Sequence, residues 1–147
     1  MLEPGPGMGF FTIPLARLVG ASGRVVALDL QPKMIERLKR RAAKAALLER
    51  VDARVVASDS MALDDLSGHV DFTLAFAVVH EFPNAQRFFA EVARASKSGA
   101  SLLLAEPRGH VNDEKFAEEL AAAAASQFQV GARPVIRRSH AALLVKK

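Results

Sequence analysis

Short, nearly continuous apolar runs alternate along this chain with longer segments whose apolar residues recur at helical spacing. Unbroken apolar runs mark strands buried on both faces, and a recurrence every three to four residues marks one face of a helix. Met1–Glu3 reads as the tail of a strand and Pro4–Gly9 as a glycine loop. Phe10–Val19 reads as a helix that stops at Gly20, where a left-handed residue can close the last turn. Arg24–Asp29 (RVVALD) is the next strand. A second helix opens at Gln31–Pro32, with proline where its missing N–H does no harm. It runs through Met34, Ile35, Leu38 and Ala42 to about Leu48.

Ala53–Ala57 (ARVVA) follows as a strand, then Ser58–Asp59–Ser60. Val70–Val79 is the most apolar stretch and suits a central strand. Pro83–Ser96 reads as a helix with Phe88, Phe89, Val92 and Ala93 on one face, and Lys97–Gly99 as a turn. Ala100–Glu106 is a strand ended by Pro107. Asn112 or Asp113 caps a helix reaching about Ser126, and Phe128–Ile136 and His140–Lys146 are two strands joined by a basic turn. Alternating strands and helices predict a parallel sheet covered on both faces. The last two strands have no helix between them, so that pair is expected to be antiparallel. No repeat, linker or composition break interrupts the series, so residues 1–147 are expected to form one α/β domain.

Composition narrows the chemistry. The chain has no cysteine, which excludes disulfides, thiolate catalysis and cysteine-ligated zinc. Its histidines stand at 69, 80, 110 and 140, too far apart for a local zinc-binding pair. No apolar run approaches the roughly 18–20 residues of a membrane span, and no basic-then-apolar leader opens the sequence. A cytoplasmic protein without a membrane partner is expected. The net charge of +4 is mild. Lys33, Arg37, Lys39, Arg40, Arg41 and Lys44 share a helix with apolar residues and read as its outer face. Without interleaved aromatics they argue against a nucleic-acid partner, and Arg137–Arg138 does not change that.

The segment Glu3–Pro4–Gly5–Pro6–Gly7–Met8–Gly9 lies where a strand ends and a helix begins. Glycines there let the backbone turn sharply and approach a ligand, and the helix start offers free N–H groups. A dinucleotide fingerprint counted from Gly5 requires glycine at position 10, which is Phe10, so a nicotinamide cofactor is disfavoured.

The pattern acid-x-G-x-G-x-G, with Glu3 and glycines at 5, 7 and 9, resembles the first motif of class I S-adenosylmethionine-dependent methyltransferases. The resemblance extends from Leu2 to Leu144 and is nearest the small-molecule methyltransferases that include the ubiquinone and menaquinone biosynthesis enzymes. It implies a Rossmann-like three-layer α/β/α sandwich with a mostly parallel seven-stranded sheet, order 3-2-1-4-5-7-6, the last strand antiparallel. It implies S-adenosylmethionine as cofactor, S-adenosylhomocysteine as product, and a small-molecule methyl acceptor.

By the same resemblance, Gly5, Pro6, Gly7 and Gly9 form the cofactor loop, with Glu3 favouring the cationic end directly or through water. Asp29 takes the ribose hydroxyls, as a carboxylate can from a vicinal diol. Leu30 and Met34 pack on the adenine, Asp59 accepts from its amino group with Ser60 alongside, and Phe76 closes the pocket near the sulfonium.

Methyl transfer needs alignment of acceptor and methyl group, and a base only where the acceptor must lose a proton. Candidates lie at the carboxyl ends of strands: His80 and Glu81 after the fourth, Glu106 and His110 after the fifth. His80 is the first choice, because histidine titrates near neutrality. Glu106 and His110 read as structural, and His69 and His140 as structural or solvated. Only Met1 and Leu2 precede Glu3, whereas the family commonly places lid helices before its first strand. The expectation is a domain without that lid, open on its substrate side and able to pair as a homodimer. A cofactor-binding module that needs a partner to complete catalysis, and an RNA methyltransferase, remain as alternatives. The N/D-P-P-Y/F motif of nucleic-acid amino-methylating relatives is absent; Ala77–Val78–Val79–His80 stands there instead.

Overall fold

The computed structural model describes all residues, 1–147. Its elements run β1 (Leu2–Pro4), α1 (Thr12–Leu18), β2 (Val25–Asp29), α2 (Pro32–Lys44), β3 (Val51–Val55), β4 (Val70–Phe76), α3 (Ala85–Ala95), β5 (Ser96–Pro107), α4 (Asp113–Ala125), β6 (Phe128–Ala132) and β7 (Ser139–Lys146). The strand order is β3-β2-β1-β4-β5-β7-β6. The chain divides into two compact units, Met1–Ser60 and Met61–Lys147.

In the N-terminal unit β1, β2 and β3 are parallel. Leu2 pairs with Val26, Val25 with Val51 and Asp29 with Val55. Residues from α1 (Ile13, Ala16), α2 (Ile35, Leu38, Ala42) and alternate strand positions (Val25, Ala27, Val51, Ala53) form one apolar cluster. Both helices therefore cover the same face, as consecutive right-handed crossovers require. β3 lies two residues earlier than its apolar run suggests, because pairing ends where its partner β2 ends. α2 stops at Lys44 rather than near Leu48. Ala46 turns left-handed (φ +54°), Leu47 N–H donates to Ala42 O at 2.9 Å, and Ala46 N–H donates to Ala43 O at 3.0 Å. This is a Schellman closure with alanine where glycine is usual, and the following Leu47 is buried over it.

In the C-terminal unit β4 and β5 are parallel, while β7 runs antiparallel to both β5 and β6. β4 ends at Phe76, three residues before its apolar run does, because Ala77 is left-handed (φ +54°) and Val79–Glu81 forms a single 3-10 turn. β5 instead begins early, at Ser96, and absorbs the expected Lys97–Gly99 turn beside a register shift between Val70 and Phe72. β6 stops at Ala132, short of Pro134, which has no N–H for the ladder. The first turns of α3 and α4 are capped by side chains. Asn84 Oδ1 accepts from Arg87 N–H at 2.9 Å, and Asn112 Oδ1 accepts from Lys115 N–H at 2.8 Å. Phe88, Phe89 and Phe128 meet edge-on in the core of this unit.

Candidate functional site

In the N-terminal unit three features share the carboxyl edge of one parallel ladder: the glycine loop after β1, Asp29 at the end of β2, and the Asp59 turn after β3. Neighbouring strands are about 4.8 Å apart, so the three follow from strand spacing and register. Gly5 N–H donates to Leu28 O at 2.8 Å and Gly9 N–H to Pro6 O at 2.9 Å, which fixes the loop against β2. Gly5, Gly7 and Gly9 are all left-handed. A Cβ on Gly9 would stand 2.5 Å from Leu38 Cδ1, so this glycine lets the loop lie on α2. A Cβ on Gly7 would meet nothing within 4 Å, which leaves the backbone there open to a ligand.

Glu3 is buried beneath the loop and accepts a hydrogen bond from Thr12 Oγ1 at 2.5 Å. Burial raises its pKa from 4.5 to about 7, against the lowering effect of Thr12. Asp29 is half-buried, and its Oδ1 accepts from Gln31 N–H at 2.9 Å, which leaves Oδ2 for other donors. Leu30, next to Asp29, is exposed, and Met34 in the first turn of α2 is half-buried. Asp59 is exposed at the tip of the turn bridged by Ala57 and Ser60.

Two basic residues read from sequence as solvated have a further task. Arg41 Nη1 donates to Met8 O at 3.0 Å, and Arg37 Nη1 lies 3.4 Å from Met8 Sδ. They brace the glycine loop from α2. Their i, i+4 spacing on the helix that follows Asp29 was the one available signal.

In the C-terminal unit Phe76 ends β4, half-buried. The left-handed Ala77 and the 3-10 turn then carry His80 back toward β5. There Glu106, fully buried, accepts from Val78 N–H at 3.2 Å, Val79 N–H at 2.8 Å and His80 Nδ1. A carboxylate with these donors sets the proton of His80 on Nδ1 and leaves Nε2 as an acceptor. Glu106 thus fixes the tautomer of His80, a relation that strand-end position alone did not reveal. The His110 ring stands edge-on to His80, with centroids 5.4 Å apart. His69 is exposed and bonds Ser67 O, while His140 is buried against Phe116.

The loop geometry fits adenosylmethionine on the structure's own terms: an open left-handed backbone at Gly7, a carboxylate with a spare oxygen at Asp29, and the exposed apolar Leu30 next to it. The sequence matches the family described as methyltransferase domain over residues 2–104. The chain therefore belongs to the methyltransferase-domain family. S-adenosylmethionine is the cofactor, and methyl transfer the reaction class, that this membership carries.

Among solved structures, an S-adenosylmethionine-dependent methyltransferase from Aquifex aeolicus aligns over 98% of this chain and 79% of its own, at 24% identity and TM-score 0.82. A second from Methanosarcina mazei aligns over 98% and 89%, at 16% identity and TM-score 0.72. The [4+2]-cyclase SpnF aligns over 90% of this chain and 52% of its own, at 20% identity and TM-score 0.75. These likenesses establish the seven-stranded fold, and the cyclase shows that it also carries other chemistry. No curated protein sequence matches. No helix is long and apolar enough to cross a membrane.

Proposed function

We propose that residues 1–147 act as one methyltransferase domain in the cytoplasm that methylates a small organic acceptor after His80 removes its proton. The observation that carries this reading is the Glu106–His80 pair, with Nε2 of His80 left without a protein donor to satisfy. In the same reading Gly5, Pro6, Gly7 and Gly9 cradle the cofactor, and Asp29 holds its ribose. Leu30, Met34 and Asp59 with Ser60 receive the adenine, and Phe76 covers the reacting end. Glu3 acts from below the loop, where burial raises its pKa to about 7 and a cationic ligand favours its ionised form. When bound, the cofactor supplies a methyl group on a positively charged sulfur, already activated for in-line displacement.

The chain's own contribution is then positioning and one proton. His80 Nε2 takes the acceptor's proton, and Glu106 stabilises the imidazolium that results. A general base of this kind contributes about 10²–10⁴-fold. His80→Gln is expected to lower kcat by about 10²-fold, read as S-adenosylhomocysteine formed across a panel of small phenols, amines and hydroxy acids. Glu106→Gln keeps an amide oxygen for the Val78 and Val79 N–H groups but turns an uncharged NH2 donor toward His80 Nδ1, and should lower kcat nearly as far with an unchanged KM for cofactor. Full activity in both variants would remove His80 from the chemistry.

A further inference from the structure

The C-terminal unit holds a cavity of about 400 Å³ that the cofactor reading leaves unused. It lies where the loop after β5, the start of α4 and the β6–β7 connection meet, and its size falls within the range of small-molecule sites. Two of its walls are cationic. Arg108 is anchored to the start of β7, its N–H donating to Arg138 O at 3.0 Å and its Nε to Ser139 O at 3.4 Å. Its remaining donors have no protein acceptor, and Arg133 forms no ion pair. The one acid on the wall, Asp113, faces His140 Nδ1 at 3.5 Å. Phe116 and Ile136 supply apolar surface, with the Phe116 ring stacked on His140.

The cavity also has a defined relation to His80. Glu106 pairs directly with His140 across the antiparallel β5–β7 ladder, and Pro107 with Ser139. Directly opposed residues project from the same face of a sheet. The carboxylate that orients His80 and the histidine that walls the cavity therefore share one face and one end of the sheet.

We propose that this cavity binds the methyl acceptor, and that the acceptor is a small organic carboxylate with an aromatic or aliphatic body. Arg108 and Arg133 receive the carboxylate, for which a guanidinium offers paired donors, and Phe116 and Ile136 receive the body. This assignment rests on the methyltransferase reading above, and the test separates the two.

Benzoate, with benzamide as its uncharged match, is titrated into the ¹⁵N-labelled chain without cofactor while backbone amides are followed by NMR. Benzoate is expected to shift the amides of Arg108, Ser139 and His140, and benzamide to bind at least tenfold more weakly. Arg108→Ala/Arg133→Ala is expected to lose the benzoate response while keeping its spectrum and its S-adenosylhomocysteine affinity. Equal binding of the two probes, a response that survives the double substitution, or no response would each overturn the site. In turnover with S-adenosylmethionine, hydroxylated aromatic carboxylates should react faster than their amides. Equal rates, or benzoate binding without turnover of any carboxylate, would overturn its role as the acceptor site. Failure to bind S-adenosylhomocysteine would instead sink the methyltransferase reading while leaving the benzoate result to stand.

Discussion

Glu119 lies on the buried face of α4, between Phe116 one turn before and Ala123 one turn after, and neither carboxyl oxygen has a hydrogen-bond partner. Burial, reinforced by the nearby Glu106 carboxylate, raises its pKa from 4.5 to about 7. The folded protein therefore holds this proton to higher pH than the unfolded chain does. Stability from this group is intact below about pH 4.5, falls as pH rises toward about 7, and is level above that. At 1.36 kcal/mol per pH unit the fall is about 3 kcal/mol. Glu119→Gln keeps the shape and cannot ionise.

The variant should match the parent at pH 4 and exceed it at pH 8 by about 2–3 kcal/mol, roughly 5–10 °C in Tm for a domain of this size. Urea unfolding of both proteins from pH 4 to 8 measures the difference directly. Glu3, whose pKa is raised to a similar value, tilts both curves alike and cancels. A constant offset at every pH, or a variant less stable at pH 8, would show that ionisation of Glu119 does not set this pH dependence.

The glycine loop offers a paired test. Gly9→Ala pushes a methyl into Leu38 of the core and should cost about 1–3 kcal/mol in thermal or urea unfolding. Gly7→Ala meets no protein atom, so it should cost about 1 kcal/mol of backbone strain yet weaken cofactor binding more than Gly9→Ala does per unit of stability lost. Arg41→Ala frees the Met8 carbonyl and should weaken S-adenosylhomocysteine binding by about 0.5–1.5 kcal/mol in calorimetry, with the melting curve nearly unchanged.

What sequence pattern captured, and what it missed, divides along the reach of the interactions. The glycine loop, Asp29 and the antiparallel β6–β7 pair are local features, and each stands where alternation and spacing put it. Element ends set by a partner were displaced: β3 follows the end of β2, and β5 begins at Ser96, where it pairs with Val70. The left-handed alanines at 46 and 77 end α2 and β4 without the glycine or proline that would announce them. Glu106 read as one strand-end acid among several. Its partners lie 26 to 28 residues upstream, beyond any window of periodicity. Arg37 and Arg41 looked like solvated charge because only the folded loop brings Met8 to them. Glu119 sat in an alanine-rich helix whose buried side the weak apolar periodicity did not reveal.

In the proposed function the carboxyl edge of β1–β3 is the cofactor cradle and Asp29 its ribose ligand. The most direct test is a calorimetric titration of the chain with S-adenosylhomocysteine beside Asp29→Ala. Saturable one-site binding is expected of the parent, with a loss of at least tenfold in the variant, whose unfolding curve stays close to the parent's. Equal affinities in the two proteins would remove Asp29 from the site, and no binding by the folded parent would remove the cradle.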